Sequence, residues 1–166
     1  MSAILKLEDI RIRTTLIPGD IGYITYLHGR LYGKEYAYGI AFETYVATGL
    51  VEFYKSYDPE RDRVWICEHN RKTVGFLSLM HREKSAQLRY FILEPGYRGI
   101  GLGKKLMDLF MEHFKKAGYE SAFLWTTKEL GTAAYLYMKY GFRLTEEKES
   151  DTFGKRLTEQ RYELSL

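Results

Sequence analysis

Residues 86 to 116 join a strand, a glycine turn and a helix, and this junction constrains the fold more than any other part of the chain. The strand is apolar and ends in Tyr90-Phe91-Ile92-Leu93. Pro95 stops it, because proline has no N–H to continue a ladder. The run Arg98-Gly99-Ile100-Gly101-Leu102-Gly103-Lys104 follows. Behind it, Leu102, Leu106, Phe110 and Phe114 recur at helical spacing, which predicts a helix to about Ala117 with Gly118 as its stop. Glycines spaced two apart at a helix start leave backbone N–H groups uncovered by any Cβ. Those groups lack partners inside the helix and sit at its positive end. Such an end binds phosphate, so a phosphorylated ligand is expected at Arg98–Lys104. A strand halted at Pro95 is also expected to leave main-chain groups free for it.

Spacing excludes two phosphate motifs. A dinucleotide fold needs Gly-x-Gly-x-x-Gly after its first strand, whereas these glycines stand at 99, 101 and 103, mid-chain. A P-loop needs Ser or Thr after its Gly-Lys, and Lys104 is followed by Lys105. A turn that only lets strand and helix pack closely is the remaining structural alternative.

Around this junction the patterning predicts strands at 10–14, 63–68, 73–80, 86–93, 122–125, 142–146 and 161–164. Helices are predicted after Pro18-Gly19 with Asp20 as N-cap, through Phe42, Val46, Leu50 and Phe53, after the glycine turn, and at 132–140. Ala122–Trp125 reads as a buried strand, and the charged segment 146–156 as a solvated loop or strand edge. The order places antiparallel hairpins first and β-α-β alternation afterwards. The expected fold class is α/β, one mixed sheet with helices on both faces. At 166 residues a single domain spanning 1–166 is expected.

A second motif lies downstream: Ala133-Ala134-Tyr135-Leu136-Tyr137-Met138-Lys139-Tyr140-Gly141-Phe142. With Glu94-Pro95 and Arg98–Lys104, it makes the chain resemble the GNAT superfamily of acyl-CoA-dependent N-acyltransferases. The resemblance looks closest to the acetyltransferase half of fusions with a MarR-type DNA-binding domain, through Leu93-Glu94-Pro95, Leu124-Trp125-Thr126 and Phe153-Gly154. It implies a mostly antiparallel, twisted sheet of six or seven strands and acetyl-CoA as co-substrate. The backbone of Arg98, Gly99, Ile100, Gly101, Leu102, Gly103 and Lys104 would cradle the CoA pyrophosphate. Main-chain groups of Phe91, Ile92 and Leu93 would pair with the pantetheine arm as an added strand. One of their N–H groups would polarise the thioester carbonyl. Tyr137 matches the general acid that protonates the departing thiolate; the competing reading is a core tyrosine. Many relatives carry Asn seven residues before this Tyr, and here that position is Leu130, with Thr132 as a substitute contact.

The acceptor side is less marked. His28, Tyr32 and Glu35 fall one and two turns apart on the first helix, and helices there often line the acceptor site in this superfamily. A satisfied core histidine and a solvated glutamate are the alternative. Arg89, alternating with Phe91, could meet an acceptor carboxylate or form a structural ion pair. Glu35, Glu43, Glu94 and His28 are the ionisable candidates for a general base. Cys67 has no supporting acid or His pattern and reads as packing, and the four His show no metal spacing.

The expected activity is therefore N-acetyl transfer from acetyl-CoA to a primary amine on a small molecule or peptide, by direct attack in a ternary complex. A non-catalytic acyl-CoA-binding sensor is the alternative. A net charge of +3 argues against a nucleic-acid partner. No apolar run approaches the roughly 18 residues of a membrane span, and the first residues lack a long signal-peptide core. One cysteine suits a reducing compartment. These point to the cytoplasm, and the resemblance allows a homodimer.

Overall fold

A computed structural model describes residues 3–166. A 3-10 turn at Leu7–Asp9 leads into β1 (Arg11–Arg13), α1 (Asp20–Tyr36), α2 (Ile40–Lys55), β2 (Arg63–His69), β3 (Lys72–Arg82) and β4 (Ser85–Leu93). Then come a 3-10 turn at Pro95–Tyr97, α3 (Leu102–Lys116), β5 (Ser121–Thr127), α4 (Gly131–Lys139), β6 (Arg143–Ser150) and β7 (Leu157–Ser165). The seven strands form one sheet in the order β1-β2-β3-β4-β5-β7-β6. All pairings are antiparallel except β4 with β5.

Period-2 alternation sends strand side chains to two cores. On one face, Trp65, Leu77, Leu79, Ala86, Leu88 and Leu124 pack with Leu106, Phe110 and Phe114 of α3 and with Ala134 and Tyr137 of α4. On the other, Val64, Ile66, Phe76, Tyr90 and Ile92 pack with Ile24, Leu27 and Leu31 of α1 and with Phe42, Val46, Leu50 and Phe53 of α2. Each such large side chain, removed from water, contributes about 1.5–3 kcal/mol before conformational entropy is counted.

Several expectations shift. Asp20 is the first helical residue rather than the N-cap, which is Gly19. Its carboxylate accepts from the Ile17 N–H at 2.8 Å and pairs with Arg13 at 2.7 Å, tying β1 to α1. Over residues 122–125, β5 is fully buried on one face only, with Ala122 and Leu124 in the α3 core and Phe123 and Trp125 half-buried. Residues 143–150 are strand, although nearly every residue there is exposed. The ladder to β7 holds them, and an exposed edge strand carries no apolar period for a sequence to show.

β4 breaks its own alternation. Leu79 faces Leu88 while Leu77 faces Phe91, so Arg89 and Tyr90 together oppose Ser78. This bulge moves Tyr90 and Ile92 to the α1–α2 face and leaves Phe91 and Leu93 on the α3 face with Leu88. Arg89 is therefore not the partner of Phe91 in a simple alternation.

Candidate active site

The bulge also opens the sheet. β4 and β5 pair only at Ala86↔Ala122 and Gln87↔Phe123. Beyond Gln87 the β5-facing edge of β4 has no strand partner among the described residues, because a bulge bends its strand and ends local pairing. Leu88–Leu93 thus present main-chain groups to a cleft between two parallel strands.

The glycine turn closes one end of this cleft. Gly99 and Gly101 have φ of +80° and +88°, a region where a Cβ is strained, and Gly101 caps α3. No side chain among the described residues caps this helix. The first helical bond runs from the Lys105 N–H to Gly101 O, so the N–H groups of Leu102, Gly103 and Lys104 have no acceptor among the described residues. A Cβ at Gly103 would sit 3.4 Å from Leu136, so this glycine sets how closely α3 and α4 approach.

Two cavities occupy the cleft. The larger, about 430 Å³, is lined by Phe91, Ile92, Leu93, Arg98, Gly99, Gly103, Thr132, Ala133, Leu136 and Tyr137, with Tyr32, Glu35 and Tyr36 from α1. The smaller, about 120 Å³, lies toward α1 and α2 and is lined by His28, Tyr32, Tyr38, Phe42, Tyr45, Arg89, Tyr90, Trp125, Tyr137, Phe153 and Glu159, among others. Tyr32, Phe91, Leu130, Ala133 and Tyr137 line both. Leu130 is thus part of the dividing wall.

Tyr137 stands on that wall at 5% exposure. Its ring meets Phe91 edge-on at 6.3 Å and lies 6.2 Å from Phe142. Burial pushes its phenol pKa well above the ordinary value, so the hydroxyl stays protonated at neutral pH and keeps a proton to donate.

The α1 residues divide between the cavities. His28 and Tyr32 line the smaller one, their rings stacked at 5.9 Å. The His28 Nδ1–H donates to Ile24 O at 2.8 Å, and burial lowers the imidazole pKa to about 4, so the ring is neutral. Glu35, two turns on from His28, does not line the smaller cavity and, of the two, joins only Tyr32 in the larger one. It lines the larger cavity and forms a two-pronged ion pair with Arg98, at 2.8 and 2.9 Å, that lowers its pKa. Helical spacing put the three on one face; it could not show that α1 crosses from one cavity to the other.

The remaining candidates separate similarly. Ile100 packs on the α3 core, Leu102 is buried, and Lys104 is exposed and paired with Asp108 at 3.0 Å. Of these three only main-chain groups can serve the cleft, since their side chains are off its wall. Glu94 pairs with Arg30 at 2.6 Å, and Glu43 lies against Gly29, both off the cavity walls. Arg89 joins no ion pair among the described residues; its guanidinium lies 4.6 Å from the Tyr45 and Tyr90 ring centres. Gly49 makes room for it, because a Cβ there would overlap the Tyr90 hydroxyl. Cys67 is fully buried, lines neither cavity, and has its thiol pKa pushed up to about 12 by burial.

Sequence reasoning missed the aromatic rim. Tyr38 exchanges a 2.7 Å hydrogen bond with Thr127, and Phe153 from the β6–β7 loop packs on Tyr38, Phe42 and Tyr45. The density of Tyr and Phe between residues 32 and 45 was its only trace in the sequence.

Comparison with known proteins identifies a family and a shared fold. The acetyltransferase (GNAT) domain family matches residues 60–144. An uncharacterized N-acetyltransferase of Methanocaldococcus jannaschii is 32% identical over 97 residues, covering 54% of this chain and 42% of its own length. The uncharacterized N-acetyltransferase YjgM of Escherichia coli is 33% identical over 99 residues, covering 56% and 58%. The chain spans about half the length of the curated relatives it matches. Among solved structures, YncA of Salmonella typhimurium, described as an acetyltransferase with its cofactor acetyl-CoA, superposes with a TM-score of 0.73 at 18% identity, covering 95% of this chain and 94% of its own. Spermidine N-acetyltransferase of Vibrio cholerae, in complex with CoA and spermine, gives 0.66 at 20% identity, covering 95% and 96%. At such identities the structures share the fold.

Proposed function

This chain belongs to the GNAT acetyltransferase family, and from that premise we propose that it moves an acetyl group from acetyl-CoA to a primary amine by direct attack in a ternary complex. The observation that carries the reading is Tyr137, a protonated phenol on the wall shared by two cavities.

The residues of the larger cavity fit acetyl-CoA. The uncapped start of α3, with positive φ at Gly99 and Gly101, offers N–H groups and a positive helix end to the pyrophosphate, each such interaction worth roughly 0.3–2 kcal/mol. The unpaired edge of β4 offers Phe91–Leu93 main-chain groups to an extended arm, and a β4 N–H can hydrogen-bond the carbonyl oxygen. When bound, acetyl-CoA supplies an activated acyl carbon and a thiol leaving group. The amine enters from the smaller cavity. Its nitrogen forms the new C–N bond, the C–S bond breaks, and one N–H proton finally resides on sulfur. Tyr137 donates its O–H toward the sulfur and thereby steadies the charge that develops there. Cys67 is no acyl carrier: it is a neutral, buried thiol away from both cavities.

We read residues 1–166 as one catalytic domain, since β1 and β7, outside the family match, belong to the same sheet. A cytoplasmic location and a small-molecule or peptide acceptor belong to this reading. The likeness to the acetyltransferase half of MarR-type fusions rests on Leu93-Glu94-Pro95, Leu124-Trp125-Thr126 and Phe153-Gly154 alone.

The test is thiol release from acetyl-CoA against amino acids, polyamines, aminoglycosides and peptides, with the N-acetyl product confirmed by mass. Release matched by product for one class supports the reading. Tight acetyl-CoA binding without transfer to any amine would make the chain an acyl-CoA sensor instead.

A further inference from the structure

The smaller cavity contains an arginine that the fold leaves without a counter-ion. Other half-buried arginines have polar partners: Arg13 pairs with Asp20 and Glu68, Arg161 pairs with Glu163, and Arg61 and Arg63, which lack a carboxylate, donate to Glu83 O and His113 Nδ1. Arg89 has no carboxylate partner among the described residues, and its Nε is buried without a hydrogen bond. The Tyr45 and Tyr90 rings attract its charge, yet they offer its N–H donors no oxygen.

A second buried polar atom belongs to the same wall. The Nδ1 of His28 faces a carbonyl oxygen and so carries the proton, which leaves Nε2 as a lone-pair acceptor. That Nε2 is also buried without a partner, and His28 is 1% exposed. One cavity therefore holds a donor without an acceptor and an acceptor without a donor. Buried polar groups are nearly always satisfied in folded proteins, so each exception calls for an explanation; the third such atom among the described residues, Ser78 Oγ, lines neither cavity. Arg89 and Glu159 are the only charged residues on this wall among those described. A polyamine would meet a single acid and be repelled by Arg89. The remainder is largely aromatic, suited to a hydrocarbon skeleton.

We propose that the acceptor is a small amino-carboxylate, its carboxylate paired with Arg89 and its skeleton held among the aromatic rings, so that Arg89 sets acceptor specificity. This rests on the acetyltransferase reading above. An arginine can take a carboxylate through two parallel hydrogen bonds, and an ester or a decarboxylated amine removes that pairing without changing the skeleton.

The experiment compares L-leucine and L-phenylalanine with their methyl esters, with phenethylamine and with spermidine, in the thiol-release assay and by calorimetric titration into the CoA-saturated protein. The wild type is expected to prefer each free acid by about 10- to 100-fold in kcat/KM, the range of a hydrogen bond to a charged group. Arg89→Gln is expected to abolish that preference with KM for acetyl-CoA unchanged, and Arg89→Lys to restore part of it. The acid–ester comparison on the wild type stands even if Arg89→Gln fails to fold. Transfer to esters or spermidine at least as fast as to the acids overturns the proposal and leaves the acetyltransferase reading intact. Carboxylate-dependent binding without transfer to any amine supports the acceptor site and overturns the acetyltransferase reading. A protein that shows no transfer and no carboxylate-dependent binding also overturns the proposal.

Discussion

Replacing Tyr137 with Phe removes one oxygen from the wall between the cavities and little else. The ring contacts with Phe91 and Phe142, at 6.3 and 6.2 Å, remain. The hydroxyl has no hydrogen-bond partner among the described residues, so its loss leaves no group newly unsatisfied, and stability is expected to change by less than about 1 kcal/mol. The kinetic effect is set by what the phenol does for the leaving thiolate. A thiol pKa near ~8.5 makes the thiolate a fair leaving group without help, which puts the expected loss at the low end of general-acid contributions, about 10²-fold in kcat, or roughly 2.7 kcal/mol of barrier. The KM for acetyl-CoA is expected to stay within about 2-fold, since backbone groups hold the cofactor. Single-turnover thiol release, which separates chemistry from product release, is the assay, with a melting curve alongside. Because burial raises the phenol pKa, the wild-type profile should show no alkaline limb from Tyr137 below about pH 10. An unchanged single-turnover rate would refute the donor role, as would a loss of rate matched by a loss of melting temperature.

Three further expectations follow from the same geometry. Gly101→Ala puts a Cβ at φ +88°, which costs about 1–2 kcal/mol of stability and tilts the N–H groups of the α3 start, so KM for acetyl-CoA should rise several-fold in the same assay. Glu35→Gln releases Arg98 from a pair whose side chains are 46% and 27% exposed. The stability change should stay below about 1 kcal/mol, while KM for acetyl-CoA falls as Arg98 becomes free to meet phosphate; an unchanged KM would show that Arg98 does not reach it. His28 has a folded-state pKa of about 4 against an ordinary 6.5. Its stabilisation is therefore complete above pH 6.5 and is lost as pH falls toward 4, by about 3 kcal/mol at most. Denaturant titrations of His28→Gln should lack that slope between pH 6.5 and 4.

The walls of the larger cavity, the proposed donor half, were legible in the sequence because they are built from local chemistry. Glycines at 99, 101 and 103, a proline at 95 and a tyrosine at 137 act through backbone conformation, a missing N–H and a hydroxyl, and each carries its meaning at its own position. The helix and strand order was readable for the same reason, since apolar periodicity follows burial along one element. The acceptor half was not, because non-local pairing builds it. The bulge that sets Arg89 and Tyr90 against Ser78 depends on the register between β3 and β4. That bulge reversed the faces of Tyr90 and Ile92, parted β4 from β5 after Gln87, and placed Arg89 between two tyrosine rings. The path of α1 across the cleft then separated Glu35 from His28. Sequence alone determined that this chain presents a glycine turn and an uncapped helix start beside an interrupted strand. Only tertiary structure decided what faces that turn, because a cavity belongs to several elements at once and its charge to whichever side chains their packing leaves unpaired.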